Sequence, residues 1–393
     1  MGNGNSPEGP DLTPSAPQVT AYLYPWDVIG DPGLVPRLSS AGLGHVTLAG
    51  AYHSVRAATP QHPQHRFVTA ETAALYRPVR ASVWAGRRLS PLDAPWTGVD
   101  DPLAEAVDAL VTGGVRASAW VVLTHNSALG REHRDLVVRN CFGDAYEWAL
   151  CPANEEVREY AALLATEAVK GLPFEGISIE AWGQLGVEHG SHHDKTADAY
   201  SPLSQLILSI CCCDACRRAW SVAGLDPQAV VLALRAGLEA ARHASRARPE
   251  DVLGAPLAAA LLATRRASVD SLLDEVLAEL SPESTSRRVT LHAQTDPWAT
   301  GASPGLTPAS ARRAHSVLVP VQATSPDNGK VTDAARALVA NGVNVAAYVS
   351  LLGPIERQGL EVRVRAGADE LHLYHFGLAN EEQLELFSLL ASS

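Results

Sequence analysis

The chain has 393 residues, a formal net charge of −12 at pH 7, and 46% hydrophobic against 19% charged residues. This composition predicts a globular protein that buries a sizeable core, as one large domain or two ordinary ones. The acidic balance argues against a non-specific nucleic-acid-binding protein, which would need a basic face. We expect a cytoplasmic protein without a membrane anchor, because the sequence shows neither a run of about 18 apolar residues nor a secretory signal.

Eight apolar runs recur along the chain, and each ends in polar or aromatic residues. They are Ala21–Tyr24, His45–Ala49, Arg116–Leu123, Ile177–Glu180, Val289–Ala293, Ser316–Val321, Val343–Val349 and Leu371–Tyr374. Predicted helices lie between most runs and after the last, at Pro102–Val111, Asn154–Val169, Pro308–Ala314, Val331–Asn341, Ile355–Ala366 and Glu381–Ala391. Alternating strands and helices imply parallel βαβ units, and eight units predict a (β/α)8 TIM barrel. A doubly wound open sheet is the alternative, but no run leads into a G-x-G-x-x-G turn.

Three stretches fall outside this regular pattern. Residues 1–18 are rich in proline and glycine, and we predict a disordered tail there before a barrel domain of residues 19–393. A ninth apolar run, Val79–Trp84, is placed in the long connection after the second strand. More than a hundred residues separate the fourth strand from the fifth, and the alanine- and leucine-rich segment Pro227–Leu280 predicts a helical insertion there, of about residues 196–286.

Polar and aromatic side chains stand at the end of every predicted strand. The expected site residues are Asp27 after strand one, His53 after strand two, His125 and Asn126 after strand three, Glu180, Trp182 and Gln184 at strand four, His292, Gln294 and Asp296 at strand five, Gln322 after strand six, Tyr348 on strand seven and His375 after strand eight. Active sites of TIM barrels lie at the carboxyl ends of the strands. The sequence therefore predicts that these residues converge on one pocket, although any single strand-end residue could simply meet water.

The residue types in this set suit a carbohydrate. Sugar hydroxyls need hydrogen-bonding partners, and the C–H faces of a sugar ring pack on aromatic surfaces. Glycoside hydrolysis uses two carboxyl groups across the scissile bond. Glu180 is the first candidate, as the acid or as the nucleophile, and an apolar setting beside Trp182 is expected to raise its pKa. Asp296 is the preferred partner and Asp27 the second choice; for Glu180 the structural alternative is an ion pair with an arginine of the insertion.

Parts of the chain also resemble a known group. "LCPANEEVREYAALLATEAV", followed by "FEGISIEAWG", resembles putative glycoside hydrolases of the barrel type, which carry a similar helix start, an acid on the fourth strand and a downstream cysteine cluster like "CCCDACRRAW". "AWVVLTHNSALG" is similar to the polar loop after strand three in the same group. The resemblance covers about residues 117–220. It implies a TIM-barrel glycoside hydrolase in which Glu180 is the strand-four acid and His125 and Asn126 belong to the site.

Six cysteines allow several interpretations. They are Cys141, Cys151, Cys211, Cys212, Cys213 and Cys216. Cys213 and Cys216 form one C-x-x-C, and zinc needs further ligands, of which Cys211 is one candidate. The sequence leaves open a structural zinc at Cys211, Cys213 and Cys216, a disulfide, or packed thiols without any cofactor.

Two other functions remain open beside glycoside hydrolysis. His189, His192, His193 and Asp194 have metal-ligand chemistry and, with Glu180, could serve a metal-dependent hydrolase or lyase. A barrel that binds a glycan without cleaving it is the non-catalytic alternative. A carbohydrate or glycoconjugate is the expected partner of a glycoside hydrolase and of a glycan-binding barrel.

Overall fold

The computed structural model describes residues 18–189, 195–196, 199–242, 248–280 and 287–392. Eight parallel strands form the barrel: β1 Gln18–Leu23, β2 His45–Tyr52, β3 Arg116–Val122, β4 Gly176–Glu180, β5 Arg288–His292, β6 Ser316–Val321, β7 Asn344–Ser350 and β8 Glu370–Tyr374. Strand β1 pairs with β8 on one side and with β2 on the other, so the sheet closes. The predicted TIM barrel is therefore confirmed. The predicted tail, apart from Gln18 in β1, lies outside the described residues.

The barrel strands are buried on both faces, which explains their nearly continuous apolar sequences. All five residues of β4 are buried. Because side chains alternate along a strand, Ile177 and Ile179 pack outward while Ser178 and Glu180 point into the barrel. The Ser178 hydroxyl accordingly lies 3.3 Å from the hydroxyl of Tyr22 on β1. The same alternation places polar side chains inside the barrel on the other strands.

Fourteen helices surround and cap the barrel in the described residues. They are α1 Pro25–Val28, α2 Leu34–Ser40, α3 Ala81–Trp84, α4 Pro102–Thr112, α5 Ser127–Glu132, α6 Glu155–Val169, α7 Pro202–Leu208, α8 Asp214–Val222, α9 Pro227–Ala241, α10 Pro249–Leu253, α11 Ala255–Leu280, α12 Asn328–Arg336, α13 Leu360–Arg365 and α14 Glu381–Ala391. None of them combines the length and the apolar character that crossing a membrane requires. The predicted helix Pro308–Ala314 is only a short 3-10 turn at Ser310–Arg312, and the surplus run Val79–Trp84 contains the short helix α3.

The described part of the connection between β4 and β5 contains the predicted helices, α7 to α11. The longest of these helices, α11, has 26 residues and packs against α6 of the barrel. The guanidinium of Arg158 on α6 lies 2.6 Å from the carboxylate of Glu275 on α11. The insertion is thereby fixed to the barrel wall. Its boundaries at about residues 196 and 286 stay a prediction.

Two antiparallel hairpins extend the carboxyl-terminal face of the barrel. Val55–Ala58 pairs with Phe67–Ala70 in the connection after β2. Val137–Arg139 pairs with Ala145–Leu150 in the connection after β3. Both follow strands whose ends carry expected site residues; the first hairpin lines the mouth of the barrel, and the second bonds to the insertion through Arg139 and Cys212.

Candidate active site at the carboxyl ends of the strands

Glu180 is the last residue of β4, and its side chain is 8% exposed. The indole Nε1 of Trp120 on β3 donates a 2.8 Å hydrogen bond to Oε2 of Glu180. Burial disfavours the ionised carboxylate and raises the pKa of Glu180 to about 7, against the lowering effect of that hydrogen bond. The group can therefore carry a proton close to neutral pH, which a general acid requires.

A ring of aromatic side chains surrounds this carboxyl group. Tyr22 and Tyr52 contact Trp120 with ring centroids 4.8 Å and 4.4 Å apart. Burial raises the pKa of Tyr22, Tyr52, Tyr348 and Tyr374, and the charge of Glu180 adds to the rise in each case. These phenols stay neutral and surround Glu180 with apolar ring faces. The sequence analysis identified Tyr348 but missed Tyr22, Tyr374 and Trp120.

A cavity of about 570 Å³ lies at the mouth of the barrel and reaches Glu180. Its lining comprises His53, Ser54, Val55, Arg56, Thr69, Ala70, Glu71, His125, Glu180, Leu185, Glu188, His189, Gly301 and Ala302. This volume accommodates a small ligand. The structure thus brings three of the sequence-predicted site residues, Glu180, His53 and His125, to one cavity.

Three histidines form one wall of this cavity. The imidazoles of His53 and His125 lie 4.4 Å apart, and Nε2 of His125 lies 3.2 Å from Nε2 of His189. Burial lowers the pKa of His53 to about 4 and holds the pKa of His125 well below its usual value. Neutral imidazoles donate and accept hydrogen bonds, as sugar hydroxyls require. The rest of the histidine loop proposed as a metal site, His192 to Asp194, lies outside the described residues.

Asp296 is not part of this cavity in the described lining. Its side chain is exposed, and Oδ1 accepts a 2.9 Å hydrogen bond from the backbone N–H of Trp298. An aspartate that bonds the backbone two residues ahead stabilises a turn. The pairing of Asp296 with Glu180 therefore stays a prediction that the cavity lining does not support.

Three further predicted site residues have structural contacts instead of lining the cavity. Asn126 caps α5, with Oδ1 accepting a 3.0 Å hydrogen bond from the backbone of Leu129. The indole of Trp182 donates to the backbone carbonyl of His292 at 2.7 Å, so the indole that hydrogen-bonds to Glu180 is that of Trp120. Gln184 is buried with Nε2 3.8 Å from the sulfur of Cys216.

Two glutamines from the neighbouring strand ends also lie apart from the cavity lining. Gln294 is half-buried, and its backbone carbonyl accepts a 2.9 Å hydrogen bond from Leu306. Gln322 is exposed, and its backbone is held by the side chain of Asn328. Polar residues at these two strand ends meet solvent or hold loops.

Asp27 and His375 are buried together between the ends of β1 and β8. Oδ2 of Asp27 accepts a 2.7 Å hydrogen bond from the backbone of Tyr24 and lies 3.9 Å from Nδ1 of His375. Burial raises the pKa of Asp27 to about 7 and lowers that of His375 to about 3. The imidazole stacks on Tyr24 with centroids 4.3 Å apart. This pair packs against the aromatic side chains through Tyr24, and neither residue belongs to the described lining of the cavity.

Four buried cysteines converge beside the site. They are Cys151, Cys211, Cys213 and Cys216, whose sulfur atoms all lie within 4.8 Å of one another. Two sulfur pairs, Cys151–Cys216 and Cys151–Cys213, lie 3.6 and 3.7 Å apart. Zn–S bonds of about 2.3 Å in a tetrahedron separate the sulfurs by about 3.8 Å, whereas a disulfide needs about 2.05 Å. These four cysteines can therefore bind a metal ion, and Cys151 is a ligand position that the sequence analysis did not assign.

No protein-family model matches the chain, and no curated protein matches its sequence. Solved structures do resemble it. They include the beta-galactosidase from the psychrophilic Marinomonas ef1 (TM-score 0.57, 10% identity, 95% of this chain and 59% of that one). A second is a catalytic mutant of Gan42B, a GH42 beta-galactosidase from G. stearothermophilus (TM-score 0.56, 10% identity, 95% of this chain and 56% of that one). A third is alpha-L-fucosidase isoenzyme 2 from Paenibacillus thiaminolyticus (TM-score 0.54, 11% identity, 96% of this chain and 49% of that one).

The chain thus spans about half to three fifths of the length of these proteins. At 10 to 11% identity the similarity shows the fold alone. That fold is an eight-stranded parallel barrel with flanking helices, of the kind found in glycoside hydrolases.

Proposed function

We propose that this protein is a glycoside hydrolase and that Glu180 is its general acid. The observation that carries the proposal is a buried carboxyl group at the end of β4, with a pKa raised to about 7, at a cavity of about 570 Å³. An acid that protonates the glycosidic oxygen needs such a raised pKa. A carbohydrate or glycoconjugate is the proposed substrate; action in the cytoplasm stays a prediction.

The surroundings of Glu180 support this chemistry. The Trp120 indole fixes one carboxyl oxygen by its 2.8 Å hydrogen bond, so the group has a defined orientation. His53 and His125 are neutral at the cavity wall and would bond sugar hydroxyls. The aromatic side chains around Glu180, Trp120 and Tyr22 among them, are buried and give the carboxyl group an apolar setting. Together they would place a glycosidic oxygen against a protonated carboxyl group.

The substrate class is tested with a panel of aryl glycosides of both anomers. Galactosides and fucosides come first, because the similar structures include beta-galactosidases and an alpha-L-fucosidase. Release of the aryl alcohol by the wild-type protein, and its loss in Glu180→Gln, is the expected result. Saturable binding of a glycan without turnover of any member of the panel would support the non-catalytic function instead.

The second carboxylate is chosen by a set of matched substitutions. The sequence favours Asp296, whereas Glu71 and Glu188 line the cavity beside Glu180, with exposed side chains that are suited to an ionised partner. We expect Glu188→Gln or Glu71→Gln to lower kcat by about 10²-fold or more, as loss of a catalytic base or nucleophile does. Asp296→Asn is expected to keep kcat within a few-fold of wild type. A large loss in Asp296→Asn alone would restore the pair that the sequence suggests.

We also propose that Cys151, Cys211, Cys213 and Cys216 hold a structural zinc ion. The support is the set of four buried thiols with tetrahedral spacing. Hydrogen bonds from the thiols of the neighbouring cysteines, Cys151 first, hold the pKa of Cys213 well below its usual value, which favours the thiolate that binds a metal. The ion would join the loop before α6 to the start of the insertion.

A further inference from the structure

A chain of polar side chains runs through the barrel interior beneath Glu180. Nδ1 of His292 lies 3.9 Å from Oε2 of Glu180, and Nε2 of the same ring lies 3.1 Å from the hydroxyls of Tyr22 and Ser178. The Tyr22 hydroxyl is also 3.5 Å from Nδ1 of His372. Nε2 of His372 lies 3.3 Å from Oε2 of Glu370. The chain thus connects the carboxyl group at the mouth of the barrel with one near its opposite end.

The far end of this chain has a fixed charge. Burial raises the pKa of Glu370, but hydrogen bonds from His372, Asn344 and Ser316 outweigh it and lower the pKa to about 2. Arg288 is paired with the same carboxylate. Three donors, from Arg288, Ser316 and Asn344, bond Oε1, which leaves Oε2 to His372. An ionised carboxylate only accepts, so Nε2 of His372 carries a proton.

One arrangement of the remaining protons satisfies the donors and acceptors of this chain. Nδ1 of His372 faces the Tyr22 hydroxyl, and an unprotonated Nδ1 would accept a hydrogen bond from it. The Tyr22 hydroxyl has one proton, so the Tyr22 oxygen can only accept from His292 and Ser178. Burial lowers the pKa of His292 to about 3, so this ring is neutral, and in this arrangement its single proton lies on Nε2. The opposite tautomer would place the unprotonated Nε2 of His292 3.1 Å from a Tyr22 oxygen whose proton is given to His372, so two lone pairs would face each other, which is costly.

We propose that Glu370, His372 and Tyr22 act as positioning residues that hold His292 with its proton on Nε2, so that an unprotonated Nδ1 faces Glu180 and the Glu180 carboxyl group keeps its proton. A lone pair facing the carboxyl group is attracted to the protonated acid and repelled by the carboxylate. The titratable groups facing Glu180 from the surrounding strands are Tyr22 on β1, Tyr52 on β2, His292 on β5, Tyr348 on β7 and Tyr374 on β8.

The hydrogen-bonded chain of side chains predicts a specific effect of Glu370→Gln. Arg288, Ser316 and Asn344 would keep the amide oxygen at the Oε1 position, so the amide nitrogen would face His372 as a donor. His372 would then carry its proton on Nδ1 and donate to Tyr22. Tyr22 would donate to His292, and His292 would present an Nδ1–H to Glu180. That hydrogen bond favours the carboxylate, and we expect the titration midpoint of Glu180 to fall by about one pH unit.

Nuclear magnetic resonance tests this without a substrate. Imidazole ¹⁵N shifts of the full chain, with His292 assigned through His292→Gln, report the tautomer, and the ¹³C shift of the Glu180 carboxyl group reports its titration. The wild-type protein should show His292 protonated on Nε2; a proton on Nδ1 would overturn the proposal even if Glu370→Gln fails to fold. The catalytic role of this arrangement rests on the proposed function. The NMR measurements do not, so failure of every glycoside assay would leave them unaffected.

The matched control separates the hydrogen-bonded chain from the charge of Glu370. Removing a negative charge also lowers the pKa of a distant acid through space, and Tyr22→Phe leaves that effect intact while it breaks the chain. We expect Glu370→Gln to shift the Glu180 midpoint in the wild-type background and to lose most of that shift in the Tyr22→Phe background. An equal shift in both backgrounds would contradict the proposal. With a glycoside substrate in hand, the upper limb of the pH–kcat profile should follow the same pattern.

Discussion

Glu180→Gln is expected to lower kcat by about 10²–10⁴-fold, the usual contribution of a general acid. The amide keeps the shape of the side chain and can still accept the hydrogen bond from Trp120. It has no proton to transfer to a leaving oxygen and no negative charge. Turnover of the responsive aryl glycoside at saturating concentration is the measurement, with glycan binding followed separately to show that the site is still formed.

The same substitution should stabilise the fold at high pH. Burial raises the pKa of Glu180 from its ordinary 4.5 to about 7, so the native state binds more protons than the unfolded state between these values. Stability from this group is present below about pH 4.5 and is lost as the pH rises to about 7. At 1.36 kcal/mol per pKa unit, the ionised group costs about 3 kcal/mol above pH 7. Above pH 7 the free energy of unfolding of Glu180→Gln should therefore be larger than that of the wild-type protein.

Two outcomes would change the assignment of Glu180. A raised KM with kcat nearly unchanged would indicate a ground-state hydrogen bond to a sugar hydroxyl. Rescue of Glu180→Gln by azide separates acid from nucleophile: a glycosyl azide of the substrate's own anomeric configuration supports the acid/base role, whereas the opposite configuration would make Glu180 the nucleophile of a retaining enzyme.

The barrel and the position of Glu180 could be predicted because both follow from local patterns. Each barrel strand shows its own apolar run, most runs are followed by a helical pattern, and Ile177–Glu180 shows a buried run that ends in an acid. Closure of the barrel follows from having eight such units. Alternation along the strands also contained the signal for Trp120 and Tyr374, which occupy inward positions in phase with Ser118 and His372. That signal was available but was applied only to strand ends.

The parts that the sequence did not reveal depend on loops. Asp296 follows β5 closely in sequence, yet the chain turns at Pro297 and uses the aspartate to stabilise the turn. Glu71 and Glu188 reach the cavity from long connections whose paths no periodic pattern specifies. Cys151 precedes Cys211 by sixty residues and follows the hairpin after β3, whose Arg139 carbonyl accepts a 2.7 Å hydrogen bond from the backbone N–H of Cys212. Tertiary contacts of this kind have no local signature.

Removal of the proposed zinc is expected to destabilise the protein by about 4 kcal/mol or more, since loss of a structural metal is among the most disruptive single changes. Metal analysis of the purified chain should find one zinc per molecule. Cys213→Ser should lower both the zinc content and the melting temperature, because serine is a poor ligand for zinc. The turnover of the fraction that stays folded should be unchanged, because the four sulfurs lie outside the lining of the cavity at Glu180.

Cys212→Ser provides the matched control. Cys212 is the neighbouring residue and is equally buried, but it does not belong to the four-sulfur cluster. We expect this variant to keep its zinc and to lose less stability than Cys213→Ser. Equal losses in the two variants, or a wild-type protein without bound metal, would show that the cysteines act as packed thiols. Loss of turnover in Cys213→Ser at an unchanged melting temperature would instead place the cluster in the active site, where Gln184 is the residue that contacts it from the loop after β4.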